Sequence, residues 1–149
     1  MMNDLENSKT NEPLARARKV LAKQPFSVML GAQIDAFETG SVQISLPFSA
    51  KLIQQHGFLH GGVISYLADN ALTFAGGSVL GDSVTAEFKI NYLRPARDAD
   101  RLVAIAHVVG SGATQAVCRC DVFLEVGHER KLCSAAQGTI RKLVKSAGQ

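Results

Sequence analysis

The sequence predicts an α+β fold in which one antiparallel sheet is wrapped around one long central helix. The helix is predicted from residues 62–75, which are almost all apolar and contain neither Lys nor Arg. A helix that is apolar on nearly every side is normally buried. The glycine pair Gly76-Gly77 is predicted to end it. The sheet is predicted from segments that alternate apolar and polar residues or are apolar throughout, with short turns between them.

The remaining elements follow in order along the chain. The polar residues 1–12 are predicted to form a flexible tail, and residues 13–23 a short helix that begins at a proline. Residues 13–142 are predicted to form a single domain, which a C-terminal tail follows over residues 143–149. The predicted strands, each bounded by a turn signal, cover residues 31–38, 41–48, 84–93, 102–109, 113–126 and 130–141.

Composition and charge argue against several classes of protein. The chain has 149 residues, of which 46% are hydrophobic and 19% charged, which suits one soluble domain with its own core. No apolar run approaches the roughly 20 residues of a membrane span, and the N-terminal residues lack the apolar segment of a secretory signal. We therefore expect a cytoplasmic protein without a membrane partner. The net charge is only +3 and the sequence has no nucleic-acid-binding motif, so no nucleic-acid partner is expected.

The cysteines and histidines do not predict a metal site. Cys118, Cys120 and Cys133 lack the spacing of metal ligands and are predicted to be reduced thiols packed in the core. His56 and His60 are four residues apart, but no further cluster of ligands accompanies them. We expect neither a metal nor a cofactor.

Asp69 is the single acidic residue of the apolar helix. Its neighbours one turn away carry no charge, and Asp69 lies too far from the start of the helix to cap it. A carboxylate in apolar surroundings needs a partner or is reactive. Two alternatives follow: Asp69 takes part in catalysis, or it is a structural acid paired with Lys89, Arg94 or a backbone amide.

The two glycines at the start of the helix favour a site for a negatively charged oxygen. Backbone N–H groups at a helix N-terminus are unpaired and lie at the positive end of the helix dipole, so they can stabilise an oxyanion. Gly61 and Gly62 would let a substrate approach closely, although close packing of helix and sheet is the alternative. Gly61 and Asp69 are separated by about 12 Å along the helix. If both take part in catalysis, Asp69 most simply comes from a second copy of the chain, across a two-fold axis.

Two arginines lie close together just after the strand predicted over residues 84–93. Arg94 and Arg97 are separated by only two residues, and cations at this spacing favour phosphate binding. A solvated strand end is the alternative interpretation.

Three motifs together resemble one family. The motifs are the loop 54–62 (Gln-Gln-His-Gly-Phe-Leu-His-Gly-Gly), the pair Asp69-Asn70, and the strand end 90–96 (Ile-Asn-Tyr-Leu-Arg-Pro-Ala). Their combination resembles the hotdog-fold acyl-CoA thioesterases, most closely their phenylacetate-pathway, or PaaI-like, group, and the resemblance covers residues 25–142.

The resemblance implies a homodimer, commonly paired into a homotetramer, with active sites at the dimer interface. The thioester carbonyl would bind the backbone N–H of Gly61, and His60 would support the loop before it. Asp69 of the second chain would attack the carbonyl or activate a water molecule. The hydroxyl of Thr85 would help to position that water.

The loop departs from the family pattern at one position. The residue six before His60 is usually Asn in this group, whereas here it is Gln54, the predicted polar contact to the thioester or the water. Arg94 and Arg97 are the candidates for binding the CoA phosphates. The other predicted substrate-binding residues lie in the loop and at the start of the helix, and they are Gln55, Phe58, Leu59 and Gly62.

The leading functional hypothesis is an acyl-CoA thioesterase of fatty-acid metabolism. It would hydrolyse medium-chain, long-chain or aryl acyl-CoA to the free acid and CoA. One alternative is a hotdog hydratase or dehydratase acting on hydroxyacyl thioesters. This chemistry usually needs a histidine that faces the α and β carbons of the substrate, whereas here His60 precedes the glycines. Another is a non-catalytic acyl-CoA-binding module, against which the Asp69 carboxylate would weaken the binding of an apolar chain.

Overall fold

The computed structural model describes residues 2–146, with side chains from residue 12 onward. Within this part of the chain, three helices and six strands are found. In chain order they are α1 (Met2–Ala22), α2 (Pro25–Leu30), β1 (Gln33–Glu38), β2 (Ser41–Pro47), α3 (Gly61–Leu80), β3 (Ser83–Tyr92), β4 (Arg101–Ser111), β5 (Gln115–Val126) and β6 (Glu129–Lys142). A short 3-10 helix, Ala50–Leu52, lies in the connection before α3.

The six strands form one sheet in the order β1-β2-β4-β5-β6-β3, and all neighbouring strands are antiparallel. The sheet surrounds α3, which contacts β2, β3, β4, β5 and β6. The predicted α+β fold, with one antiparallel sheet around one long helix, is therefore confirmed. β1 and β3 are the two edges of this sheet, so one side of β3 has no strand beside it in a single chain.

The core lies between α3 and the inner face of the sheet. On α3 the fully buried side chains follow the helical repeat, and they are Leu67, Ala68, Ala71, Leu72 and Ala75. Burying a leucine side chain stabilises a fold by about 1.5–3 kcal/mol relative to leaving it exposed. The small alanines let the sheet approach the helix closely.

The end of α3 corrects the sequence prediction. The helix continues through Gly76 and Gly77 to Leu80, and Gly81 ends it with a φ of +84° and an N–H that donates to the carbonyl of Gly77. Gly76 lies within the helix, and β6 packs directly against it. A Cβ atom at this position would lie 2.6 Å from Cβ of Ile140. Close packing, rather than helix termination, explains this glycine.

The N-terminal region also differs from the prediction. α1 begins at Met2 instead of residue 13, because Pro13 removes only one backbone donor and the residues before it include helix formers. The flexibility of residues 1–12 stays a prediction. α2 is absent from the prediction, although Pro25 at its first turn and Gly31 at its end, with φ +81°, are typical signals of a helix. After β6, residues 143–146 have no regular structure, and residues 147–149 lie outside the described residues.

The three cysteines are buried in the sheet. Cys118, Cys120 and Cys133 are free thiols without exposed surface, as the sequence predicts. Burial raises the pKa of Cys118 to about 11, and it raises the pKa of Cys120 and Cys133 as well. These thiols therefore act as small core side chains. Among the described residues no helix is long and apolar enough to cross a membrane.

Candidate active site

The N–H of Gly61, at the N-terminus of α3, is an unpaired backbone donor. His60 precedes the helix, and its Nδ1 accepts a hydrogen bond of 2.9 Å from the N–H of Gly62. The N–H of Val63 donates to the carbonyl of His60. The N–H of Gly61 has no hydrogen-bond acceptor in the described part of the chain. It lies at the positive end of the dipole of a twenty-residue helix, where an oxyanion is stabilised.

Tyr92 fixes the first residue of α3. The Tyr92 hydroxyl donates to the carbonyl of Gly61 at 3.0 Å. The tyrosine ring also packs on this glycine, since a Cβ at Gly61 would lie 3.4 Å from Cζ of Tyr92. The end of β3 and the start of α3 therefore hold each other, and the Gly61 N–H is left unpaired.

A cavity of about 320 Å³ opens beside Gly61. The loop before α3 and the segment after β3 form its walls. Its lining consists of Phe58, Leu59, Gly61, Ile64, Tyr92, Leu93, Arg94, Pro95 and Ala96. Three predicted substrate-binding residues, Phe58, Leu59 and Arg94, are thus brought next to the predicted oxyanion donor.

The side chain of Gln54 is used within its own loop. Its Oε1 accepts a hydrogen bond of 2.5 Å from the N–H of His56, and its backbone closes the turn with Gly57 and Phe58. Gln54 is half-buried and Gln55 is exposed. In a single chain, neither glutamine lines the cavity beside Gly61. Neither of them forms a hydrogen bond with Asp69.

Asp69 belongs to a small network of hydroxyl groups. The Thr85 hydroxyl donates to Oδ1 of Asp69 at 2.5 Å. The Thr73 hydroxyl lies 2.8 Å from that of Thr85 and 2.9 Å from the Asp69 carbonyl. Within residues 12–146, Oδ2 of Asp69 receives no hydrogen bond, and no Lys or Arg forms an ion pair with this carboxylate. Asp69 is therefore not paired with Lys89 or Arg94 in the described part of the chain.

Asp69 and Gly61 do not meet in one chain. They lie eight residues apart on the same straight element, which corresponds to about 12 Å along its axis. Thr73 lines a different cavity, of about 580 Å³, which Phe37 and Phe74 also line. The structure thus brings Asp69 and Thr85 together and places Gly61 two turns away, at the N-terminus of the helix.

Arg94 and Arg97 occupy different surroundings. Arg94 lines the cavity beside Gly61, whereas Arg97 is exposed and lies 4.0 Å from Asp98. Both arginines line a third cavity, of about 500 Å³, at the end of the β5–β6 hairpin.

The sequence analysis missed several polar residues near Asp69. Thr73 lies four residues after Asp69 on the same helix face, and this spacing is the signal that would have found it. Ser27 is buried and links α2 to α3 by accepting hydrogen bonds from Tyr66 (2.6 Å) and Asn70 (3.3 Å). Because α2 was not predicted, no signal pointed to Ser27. Among the described residues no group of His, Cys, Asp and Glu is arranged to hold a metal ion.

Comparison with known proteins decides the family. A sequence model of the thioesterase superfamily matches residues 56–131, which include the start of α3, Asp69 and Thr85. The chain belongs to the thioesterase superfamily. Its hotdog fold and PaaI-like character, which the sequence predicts, are confirmed, and so is its class as a hydrolase.

Similar members of the thioesterase superfamily cover nearly the whole chain. A thioesterase family protein from Silicibacter pomeroyi is 34% identical and has a TM-score of 0.81, covering 86% of this chain and 96% of its own. A thioesterase from Haemophilus influenzae is 26% identical with a TM-score of 0.77, covering 91% and 94%. The acyl-coenzyme A thioesterase PaaI of Escherichia coli is 26% identical over 114 residues, which are 76% of this chain and 79% of that protein.

Proposed function

We propose that this protein hydrolyses acyl-CoA thioesters at active sites formed between two copies of the chain. The observation that carries the proposal is Asp69, the one charged residue of α3, which has no cationic partner within residues 12–146 and has one oxygen held by Thr85 and the other unpaired. The name of the similar PaaI of Escherichia coli supports acyl-CoA as the substrate.

The reaction uses one group from the N-terminus of α3 and one from its middle. The N–H of Gly61 binds the thioester oxygen and stabilises the negative charge that develops on it. Asp69 of the second chain acts on the carbonyl carbon, either directly as nucleophile or as a base that activates water. In both routes the C–S bond breaks, an oxygen from water ends on the acyl carbon, and the CoA sulfur leaves as a thiol.

Thr85 orients the carboxylate for this reaction. Its hydroxyl donates to Oδ1 of Asp69 and is itself in contact with Thr73, so the carboxylate is held in one orientation. Oδ2 is then the oxygen directed to the water or the thioester. A carboxylate that already has one fixed hydrogen bond needs less reorganisation when the reaction begins.

The free edge of the sheet supports a homodimer. β3 pairs with β6 on one side only, and the backbone groups on its other side offer a template for a second strand. Large apolar side chains are exposed on and just after this strand, at Val84, Tyr92 and Leu93. A dimer formed through β3 would cover them, and pairing of two dimers would give the homotetramer that the family resemblance implies.

Apolar cavities support an apolar acyl group. The cavity that Thr73 lines also contains Phe37 and Phe74, whose rings are 6.4 Å apart in an edge-to-face arrangement. Its volume of about 580 Å³ falls within the size range of small-molecule sites. We therefore propose medium-chain, long-chain or aryl acyl groups as substrates, which is the chemistry of cytoplasmic fatty-acid metabolism.

The test is release of free thiol from a panel of acyl-CoAs, short to long and aromatic. The wild-type protein is expected to release CoA with a maximum on one class of acyl group. Asp69→Asn keeps the shape of the side chain and removes its charge, so kcat should fall by about 100-fold or more. Asp121→Asn is the matched control, because Asp121 lies on β5 and pairs with Arg119 at 3.3 Å.

The outcomes separate the functions. Full turnover in Asp69→Asn would remove the catalytic role of Asp69. Hydration of an enoyl-CoA would identify a hydratase instead. Binding of acyl-CoA by the folded wild-type protein without any thiol release would identify a binding module.

A further inference from the structure

Thr73 connects the larger apolar cavity with the carboxylate of Asp69. It lies on α3 one turn after Asp69, and it lines the cavity of about 580 Å³ that Phe37 and Phe74 also line. Its hydroxyl lies 2.8 Å from that of Thr85 and 2.9 Å from the carbonyl of Asp69. Thr73 is therefore part of both the cavity wall and the hydroxyl network.

This network has three hydroxyl contacts but only two hydroxyl protons. A carboxylate can only accept, so Thr85 uses its proton on Oδ1 of Asp69, at 2.5 Å. In the contact between the two hydroxyls, Thr85 is then the acceptor and Thr73 the donor. The other acceptor within reach of Thr73 is the carbonyl of Asp69, which in an α-helix already receives the N–H of the residue four positions later. The proton of Thr73 therefore completes a chain of donors that ends at the carboxylate.

The two threonines differ in how firmly the backbone holds them. Thr85 lies on β3, and the register between β3 and β6 shifts directly after it, between Thr85 and Glu87. Strands bend at such irregularities, which changes the direction of nearby side chains. Thr73 follows the fully buried Leu72 within a twenty-residue helix that the sheet surrounds. The helix therefore provides a fixed point against which the hydroxyl of Thr85 is held.

We propose that Thr73 is a positioning residue for the hydrolysis, and that it acts on Asp69 through Thr85. The inference rests on the proposed function. Donation by Thr73 polarises the hydroxyl of Thr85 and strengthens its hydrogen bond to Oδ1. It also keeps Thr85 in the rotamer that donates to the carboxylate, so that Oδ2 stays directed at the water or the thioester. Thr73 itself does not touch the reacting atoms.

Removal of the Thr73 hydroxyl should lower kcat and leave KM unchanged. Thr73→Val keeps the branched shape of the side chain, and so it keeps the wall of the cavity. With octanoyl-CoA as substrate, kcat should fall about threefold to tenfold, the effect of one hydrogen bond between uncharged groups. Thr73→Ser keeps the hydroxyl and should have nearly the wild-type kcat. The matched control is Thr139→Val, because the Thr139 hydroxyl also donates to a carboxylate, that of Glu87, at 2.6 Å.

A double-mutant cycle tests whether Thr73 acts through Thr85. Thr85→Val removes the donor to the Asp69 carboxylate and should lower kcat by about tenfold to 100-fold. Once Thr85 is replaced, Thr73→Val should cause no further loss of kcat, so the two effects should not be additive in free energy. An equal loss from Thr73→Val in both backgrounds would overturn the inference, because Thr73 would then act without Thr85.

The orientation of Thr85 can be measured without turnover. Three-bond couplings from the backbone nitrogen and carbonyl carbon to the methyl carbon of Thr85, measured by NMR, report its χ1 rotamer. We expect one rotamer in the wild-type protein and in Thr73→Ser, and averaged couplings in Thr73→Val. The same single rotamer in all three proteins would contradict the positioning of Thr85 by Thr73.

The outcomes distinguish this inference from the proposed function. If the wild-type protein hydrolyses octanoyl-CoA and Thr73→Val has the wild-type kcat, the positioning role is wrong and the thioesterase proposal stands. If no thioester is hydrolysed and the couplings of Thr85 are averaged only in Thr73→Val, the positioning of Thr85 by Thr73 stands and the thioesterase proposal fails.

Discussion

At the scale of single residues, the N–H of Gly61 is the group on which the proposed chemistry depends most. It can be removed without disturbing the helix, because proline is favoured at the first helical position. His60 already has the extended conformation that a following proline requires, with φ −59° and ψ 132°. We expect Gly61→Pro to fold normally and to lower kcat by about 10²–10³-fold through loss of the oxyanion donor.

The control for this substitution is Gly61→Ala, which keeps the N–H. A Cβ atom there makes ordinary contact with the Tyr92 ring, at 3.4 Å. Gly61→Ala should therefore retain most of the wild-type kcat with the best acyl-CoA of the panel. Equal losses in the two variants would show that the glycine is needed for space and not for its N–H.

The sequence points to Asp69 and Gly61 through the pattern of the apolar helix, and to His60 and Thr85 through the family resemblance, but it does not show how these residues are held. Asp69 and Gly61 were conspicuous because they break the pattern of the apolar helix. Tyr92 belongs to the motif 90–96, yet its hydrogen bond to Gly61 depends on how the end of β3 meets the start of α3. Such contacts between distant segments are fixed by tertiary packing, which a single sequence does not encode locally.

At the scale of elements, the two glycines inside α3 provide a paired prediction. The substitutions Gly76→Ala and Gly77→Ala each replace a glycine inside the helix by alanine, which by itself favours the helix by about 1 kcal/mol. At Gly76 the new Cβ would lie 2.6 Å from Cβ of Ile140, so we expect Gly76→Ala to lose roughly 1–3 kcal/mol of unfolding free energy. At Gly77 the nearest atom is the Ser83 hydroxyl oxygen, at 3.2 Å, and a rotation of that side chain accommodates the methyl group.

Urea unfolding followed by circular dichroism measures this difference. The three proteins must be compared at one protein concentration, because association shifts apparent stability. Gly77→Ala is expected to lie between the wild-type value and about 1 kcal/mol above it. A Gly76→Ala protein as stable as wild type would contradict the close packing of α3 against β6.

The same glycines explain where the prediction of the elements failed. All six strands were predicted to within two residues at each end, because alternation and turn residues are local signals. A glycine pair is an equally local signal for a helix end, but in α3 the first glycine of the pair, Gly76, serves the close approach of β6. The start of α1 differs for a related reason: a proline is typical of a first helical turn, but Pro13 lies inside α1.

At the scale of the whole molecule, the separation of Gly61 and Asp69 is the reason for proposing two chains in each site. The two residues lie about 12 Å apart along one helix, whereas an oxyanion donor and a nucleophile must act on the same carbonyl group. In the proposed dimer, a second chain that pairs along β3 would bring a second α3 to the first. Each dimer would then contain two sites, and each site would use Gly61 of one chain and Asp69 of the other.

This arrangement predicts that two inactive variants restore activity when they are combined. Gly61→Pro and Asp69→Asn, co-expressed in equal amounts, should assemble at random. A site is intact when the Asp69→Asn chain supplies Gly61 and the Gly61→Pro chain supplies Asp69. Active sites should therefore recover to about a quarter of the wild-type number, in dimers and tetramers alike. If each site came from one chain, the mixture would be as inactive as the separate variants. Wild-type chain combined with the Gly61→Pro/Asp69→Asn double variant gives the reciprocal check: about a quarter of the sites stay active if two chains share a site, and half if one chain suffices.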